Sequence, residues 1–262
     1  MKKIFWLGIV LILCFDTSMA AHADEQWQEM RTLHFQVFYD QAPTDFIKNV
    51  EDMAERCYDE ISRDLGFRVA AETIFSNPIK IYIYNNLRHF REKTNQNKHI
   101  HGVAYFKKRT IRTFPSAHGF FDSTLPHELG HIIFREFIGY DKSIPLWLDE
   151  GVAMYQEKAK RWGAHETVKR AIKEQQFIPL KALSRKKMRD LKNQKELSLF
   201  YSHAASIVYF MIKELGSYRF LNLCKNIKNG LSFDMALEKS YRQFKGLDDL
   251  QKAWVAYLEG NE

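Results

Sequence analysis

Apolar positions change their period part-way along the chain, and the change divides it into two kinds of structure. Residues 33–39 (Leu33-His34-Phe35-Gln36-Val37-Phe38-Tyr39) and 79–84 (Ile79-Lys80-Ile81-Tyr82-Ile83-Tyr84) alternate at the two-residue period of a half-buried strand. Between them Thr44–Leu65 carries Phe46, Val50, Met53, Ala54, Cys57, Tyr58 and Ile61 at helical spacing, and Gly66 supplies the stop. The 85–97 segment reads as a short helix and loop, and 102–106 with 110–114 predict a hairpin turning through Lys107-Lys108-Arg109. A helix is expected over about 123–138, ending at Gly139, and another restarts near Ser143 and Pro145. Beyond Gln156 the strand signals stop, and helices are predicted at about 163–175, 184–193, 200–215, 217–228, 232–243 and 247–258. The fold class is therefore α+β: a strand-bearing lobe over 24–160, an all-α lobe over 161–262, and a cleft expected between them.

One stretch carries chemistry. In His127-Glu128-Leu129-Gly130-His131 the histidines are four apart, so on a helix both imidazoles face one way and can hold one metal ion while Glu128 projects beside them. Neutral imidazole is a common zinc ligand, and a carboxylate beside a metal-bound water can take its proton. A third ligand comes from Pro145-Leu146-Trp147-Leu148-Asp149-Glu150-Gly151-Val152-Ala153, where Glu150 follows His131 with eighteen residues between. If the first helix stops at Gly139 and the second starts near Pro145, Glu150 returns opposite the histidines. Three protein ligands leave a position for water, the mark of a catalytic rather than a structural zinc site.

These residues carry a resemblance. HELGH, eighteen residues and the Glu of WLDEGVAMY are similar to the gluzincin metallopeptidases, and the WLxEG signature resembles that of the zinc aminopeptidases and the peptidase MA-like proteins. The resemblance is strongest over about 126–155. It implies a zinc peptidase with metal ligands His127, His131 and Glu150 and with Glu128 as general base. It also implies an exposed edge strand that pairs with an extended peptide, a place that the hairpin occupies in the order of the chain, with an ordinary sheet edge as the equal alternative, and an oxyanion donor from the helix downstream. Tyr201 and His203, in Leu199-Phe200-Tyr201-Ser202-His203, are the candidates, Tyr201 first because a phenol donates without being charged. Tyr201 also heads an apolar face with Ala205, Val208 and Tyr209, which would suit core packing equally. Some gluzincins use an Asp four residues after the Glu ligand to orient a histidine; Met154 stands there, so the group that holds the imidazoles is open. No counterpart of the aminopeptidase amine-anchoring acid is evident, which points toward an endopeptidase.

Composition refines this picture. At 262 residues, 45% hydrophobic and 14% aromatic, the chain can bury a sizeable core. Residues 1–23 differ in kind: Lys2-Lys3, an apolar run from Ile4 to Phe15, then two small-x-small sites read as a secretory signal, with an uncleaved anchor as the alternative. Export, to periplasm or medium, is expected. The formal net charge of +7 favours weak association with anionic membrane or cell-envelope surfaces. Nucleic acid is not expected, because basic residues are scattered among carboxylates, and the clusters Lys107-Lys108-Arg109 and Arg185-Lys186-Lys187 read as solvated turns. His99 and His101, a pair of loop histidines without nearby acids or thiols, read as polar surface. Cys57 and Cys224 could pair or stay as core thiols. The partner expected is a peptide or protein substrate. Another class fits the same residues, a zinc-binding protein that keeps the site without turnover; retention of Glu128 argues against it.

Overall fold

A computed structural model describes residues 27–67, 77–96, 100–117, 119–157 and 161–260. The signal-like segment and His99 lie outside the described residues. Five strands form one mixed sheet: β1 (Gln28–Arg31), β2 (Phe35–Tyr39), β3 (Ile79–Ile83), β4 (Gly102–Tyr105) and β5 (Thr110–Thr113), in the order β1-β2-β3-β5-β4. β2, β3 and β5 run parallel, while β1 and β4 pair antiparallel at the two edges. The alternation seen in the sequence is the cause. Phe35, Val37, Ile79, Ile81, Ile83 and Ile111 all point to one face and are fully buried, each contributing about 1.5–3 kcal/mol of transfer free energy. On the other face Phe38 stacks on Tyr82, and Trp27 meets Tyr82 edge-on.

α1 (Thr44–Leu65) covers the buried face with Ile47, Val50, Ala54, Tyr58, Ile61 and Leu65, and stops where Gly66 adopts φ 69°. α2 (Leu87–Thr94) is capped by the Asn86 side chain, which accepts from the His89 N–H. The rest is helical: α3 (Leu125–Ile138), α4 (Leu146–Gln156), α5 (Arg161–Lys173), α6 (Leu180–Arg185), α7 (Gln194–Tyr209), α8 (Ser217–Lys228), α9 (Phe233–Ser240) and α10 (Leu247–Glu259). One hydrophobic cluster runs through them and the sheet together.

Four elements depart from the pattern reading. β1 is a polar, largely exposed strand held by its ladder to β2 and not by a hydrophobic face. The helix expected at 184–193 is earlier and broken: it starts after Pro179, ends at Arg185, and a single 3-10 turn follows at Met188–Asp190. α7 begins at Gln194, where Asn193 caps the Glu196 N–H, well before residue 200. Arg109 is buried, whereas Lys107 and Lys108 are exposed as expected. Cys57 and Cys224 are each buried as thiols and form no disulfide with one another. No helix among the described residues is long and apolar enough to cross a membrane.

Candidate metal centre

The centre is built where three helices cross at glycine contacts. α3 follows a π-helical turn over Phe120–Thr124 and buries Leu125, Leu129, Ile132, Ile133 and Ile138. Gly130, between the two histidines, has no side chain because α4 occupies the space: a Cβ there would lie 3.0 Å from Ala153 Cα and 3.1 Å from Gln156 Cγ. Gly139, at φ 108°, ends α3, the chain turns, and α4 starts after Pro145. On α4, Gly151 meets α7 closer still, with a notional Cβ 2.4 Å from the Ala204 carbonyl oxygen and 2.5 Å from Val208 Cγ2. The glycine after Glu150 thus lets the two backbones touch, and that contact brings α7 up to the ligand.

His127, His131 and Glu150 converge as the sequence predicts, with one ligand atom from each lying within 4.8 Å of the others. His131 Nε2 and His127 Nε2 are 3.2 Å apart, and Glu150 Oε2 is 3.5 Å from the former and 3.7 Å from the latter. The outer nitrogen of each ring is held by a carboxylate. His127 Nδ1 is 2.8 Å from Glu157 Oε1, and His131 Nδ1 is 3.3 Å from Asp149 Oδ1. Neither carboxylate is loose: Ser123 Oγ donates to Glu157, and Arg135 donates to Asp149 Oδ2 from Nε at 3.0 Å and Nη2 at 2.7 Å. With each Nδ1–H committed outward, the two Nε2 lone pairs face each other and a carboxylate oxygen. That arrangement repels itself and suits a cation, so the donor set fits a zinc ion.

Electrostatics agree with the geometry. Burial would lower the His131 pKa, but Glu150 and the bonds to Asp149 and Glu150 carry it well above its ordinary value. Asp149 is pushed up by burial and more than compensated by His131 and Arg135, so it stays ionised. Glu128 is buried, and desolvation raises its pKa against the pull of His127 and His131, with Glu150 and Glu157 adding to the rise. It sits under the edge strand β4: a Cβ on Gly102 would meet Thr124 Cγ2 at 2.6 Å and Glu128 Oε1 at 3.6 Å. Only a glycine lets the strand lie this close.

The two candidate donors separate. Tyr201 on α7 is mostly buried, and besides desolvation the charges of Glu150, Glu128 and Glu157 all raise its pKa. Its phenol therefore stays protonated among the carboxylates of the centre. His203 turns the other way and corrects the alternative assignment. It is fully buried, Nδ1 donates to the Leu199 carbonyl at 2.8 Å, and Nε2 accepts the Ile178 N–H at 3.1 Å. Both nitrogens are occupied and the ring packs on Phe177 and Trp254, so His203 is a core residue. Of the two, only Tyr201 stands among the carboxylates of the centre. A cavity of about 310 Å³ between α1 and the start of α3, lined by Met53, Cys57, Phe121 and Pro126, contains none of the site residues.

The model of the peptidase MA superfamily matches residues 65–260, a range that holds every residue of this centre. The chain belongs to the peptidase MA superfamily. A search of curated proteins returns no match. Superfamily membership makes the chain a peptidase in type, with zinc as the customary metal, and β1, β2 and most of α1 precede the matched range.

Glu157, Asp149, Arg135 and Ser123 were not identified from sequence. Met154 has no part in holding a histidine; the carboxylate that does is Glu157, three residues further on and just past the end of α4. A signal existed for it, since Glu157 lies seven residues after Glu150, two helical turns along the same face.

Proposed function

We propose that the chain is an exported zinc metallopeptidase of gluzincin type that hydrolyses peptide bonds within peptides or proteins. One observation carries the reading: two histidine Nε2 atoms and a Glu150 oxygen converge, each imidazole is backed by a carboxylate, and a further buried carboxylate, Glu128, stands beside them. His127, His131 and Glu150 would hold a zinc ion, which would supply Lewis acidity at the centre. Glu128 is the base: it takes the water proton at its carboxylate and returns it to the leaving nitrogen. The Tyr201 phenol, kept protonated by burial and by neighbouring negative charge, donates to the oxygen on which charge develops. Glu157 and Asp149 hold the imidazoles in the tautomer that presents Nε2 inward. Among the described residues β4 is an edge strand paired only with β5, which suits an extended substrate, and Gly102–Tyr105 bears no carboxylate to anchor a substrate amine, which supports internal cleavage. Export rests on the segment 1–23, and the basic excess suits weak contact with anionic envelope surfaces.

The test is a side-by-side proteomic comparison of cleavage products from wild type and Glu128→Gln, each assayed for zinc. Wild type should generate new internal termini that a chelator abolishes. The variant should hold about one zinc per chain while turnover falls about 10²- to 10⁴-fold, the usual worth of a general base. Equal activity in the two proteins would exclude Glu128 as the base, and zinc without any cleavage in either would favour a binding protein.

A further inference from the structure

The β4–β5 hairpin turn ends in an arginine that leaves the solvent. Arg109 is 4% exposed, while Lys107 and Lys108 before it are open. Its φ is +47°, a left-handed conformation that a side-chain-bearing residue adopts only under constraint. Its carbonyl accepts the Lys80 N–H at 2.8 Å, which locks its backbone to the central strand β3. The side chain then runs inward and forms an ion pair with Glu136 of α3. Tyr58 of α1 and Tyr140 beyond α3 lie near the arginine, whose charge reaches both phenols. The Tyr58 hydroxyl, Arg109 Nε and Glu136 Oε2 are buried without a hydrogen-bond partner among the described residues.

Such a cluster is a poor way to stabilise a fold. Two charges leave water, several polar atoms go unsatisfied, and the backbone is strained, whereas an apolar pair of similar volume would do as well or better. What the pair does determine is position. Glu128 and Glu136 are eight residues apart on α3, about 12 Å along its axis. Gly102, at the start of β4, rests against Thr124 and Glu128; Arg109, at the far end of the same hairpin, is tied to Glu136. The edge strand is thus held to the metal helix at both ends.

We propose that the Arg109–Glu136 pair is a positioning device that sets the height and register of β4 along α3, so that a peptide paired to β4 presents its scissile bond at the His127–His131–Glu150 centre. The proposal rests on the peptidase reading for its consequence but not for its geometry. Arg109 touches no reacting atom and acts only through the strand.

The decisive variant is Arg109→Met/Glu136→Met, which removes both charges and leaves neither buried alone. Arg109→Lys is its companion, retaining the charge but not the planar fork of donors. Each is measured for zinc content, thermal unfolding, deuterium uptake of the Gly102–Tyr105 segment, and hydrolysis of a fluorogenic octapeptide taken from a mapped cleavage site. The double variant should fold and bind zinc as wild type does, while uptake in the β4 segment quickens about ten-fold through local opening. KM for the octapeptide should rise about ten-fold with kcat within about two-fold, since only substrate alignment on the strand is lost. Arg109→Lys should fall between the two. Wild-type uptake across Gly102–Tyr105 in a folded, zinc-loaded double variant overturns the proposal; if the double variant does not fold, unchanged uptake in Arg109→Lys does the same. Uptake is read without any substrate, so a chain that cleaves nothing defeats the peptidase reading and still decides the positioning.

Discussion

Two histidines of the candidate metal centre and two buried in the helical half form a contrast, and their second nitrogens tell them apart. His127 and His131 each give Nδ1 to a carboxylate and turn Nε2 toward another ligand. His203 spends one nitrogen on a carbonyl and the other on an amide, and His165 contacts the Ser206 hydroxyl, itself bonded to Trp254. Burial lowers the pKa of both His165 and His203, whereas at His131 acids overcome it. A carboxylate behind an imidazole suits a ligand only where the other nitrogen also faces further donors, as at His127 and His131; His34, paired through Nδ1 with Glu55 and stacked on Tyr58, belongs to no such cluster among the described residues.

The sharpest way to break that contrast is to empty the two sets in turn. His127→Ala/His131→Ala should lose nearly all zinc and all zinc-dependent hydrolysis, because one carboxylate cannot hold the ion alone, whereas His165→Ala should still bind about one zinc per chain. Stoichiometric zinc in the first variant, measured by atomic absorption, would defeat the assignment. Next in size is Tyr201→Phe, expected to lower kcat about ten-fold to a thousand-fold at unchanged zinc content, as one lost donor to developing charge should. A variant with full kcat removes Tyr201 from the chemistry. Glu157→Gln should weaken zinc about ten- to a hundred-fold in a dye competition assay, the usual worth of a group that orients a ligand; an unchanged affinity would mean that the 2.8 Å contact to His127 is incidental.

The smallest effect on the chemistry belongs to His203→Gln, which should leave kcat within about two-fold. Its signature is in stability. The folded imidazole resists protonation until a pH of about 4, while an unfolded one takes a proton near about 6.5. Unfolding therefore takes up a proton at this residue within that window, so His203 should cost wild type stability as pH falls from about 6.5 to about 4, its own share being about 3 kcal/mol. Urea melts at the two ends should show a smaller loss in the variant. Equal losses would mean that the His203 proton is not excluded.

Much of the centre was legible because it is local or nearly so. HELGH needs only helical spacing, and Gly139 and Pro145 mark the turn that returns Glu150. α1 was readable to the residue for the same reason, having a clean amphipathic period and a glycine stop. Elements held by partners were not. β1 has no apolar face to announce it, and Glu157 acts from beyond a helix end on a histidine thirty residues away. Arg109 looked like the third member of a solvated basic turn, and only the arrival of Glu136 beneath it makes burial tolerable. The split between Tyr201 and His203 depended on Ile178 and Leu199, which no pattern near the motif places beside an imidazole nitrogen.

The clasp between Arg135 and Asp149, together with the bare contact of Gly130 on Ala153, joins α3 to α4 without calling on any of the three ligand atoms. On the proposed zinc reading, loading and stripping the ion should therefore be a matter of side chains and not of refolding, unlike a zinc finger, whose scaffold exists only around its metal. The protein can be assembled first and charged afterwards, in whatever compartment supplies zinc, and a chelator should leave behind a reusable empty socket instead of a denatured chain.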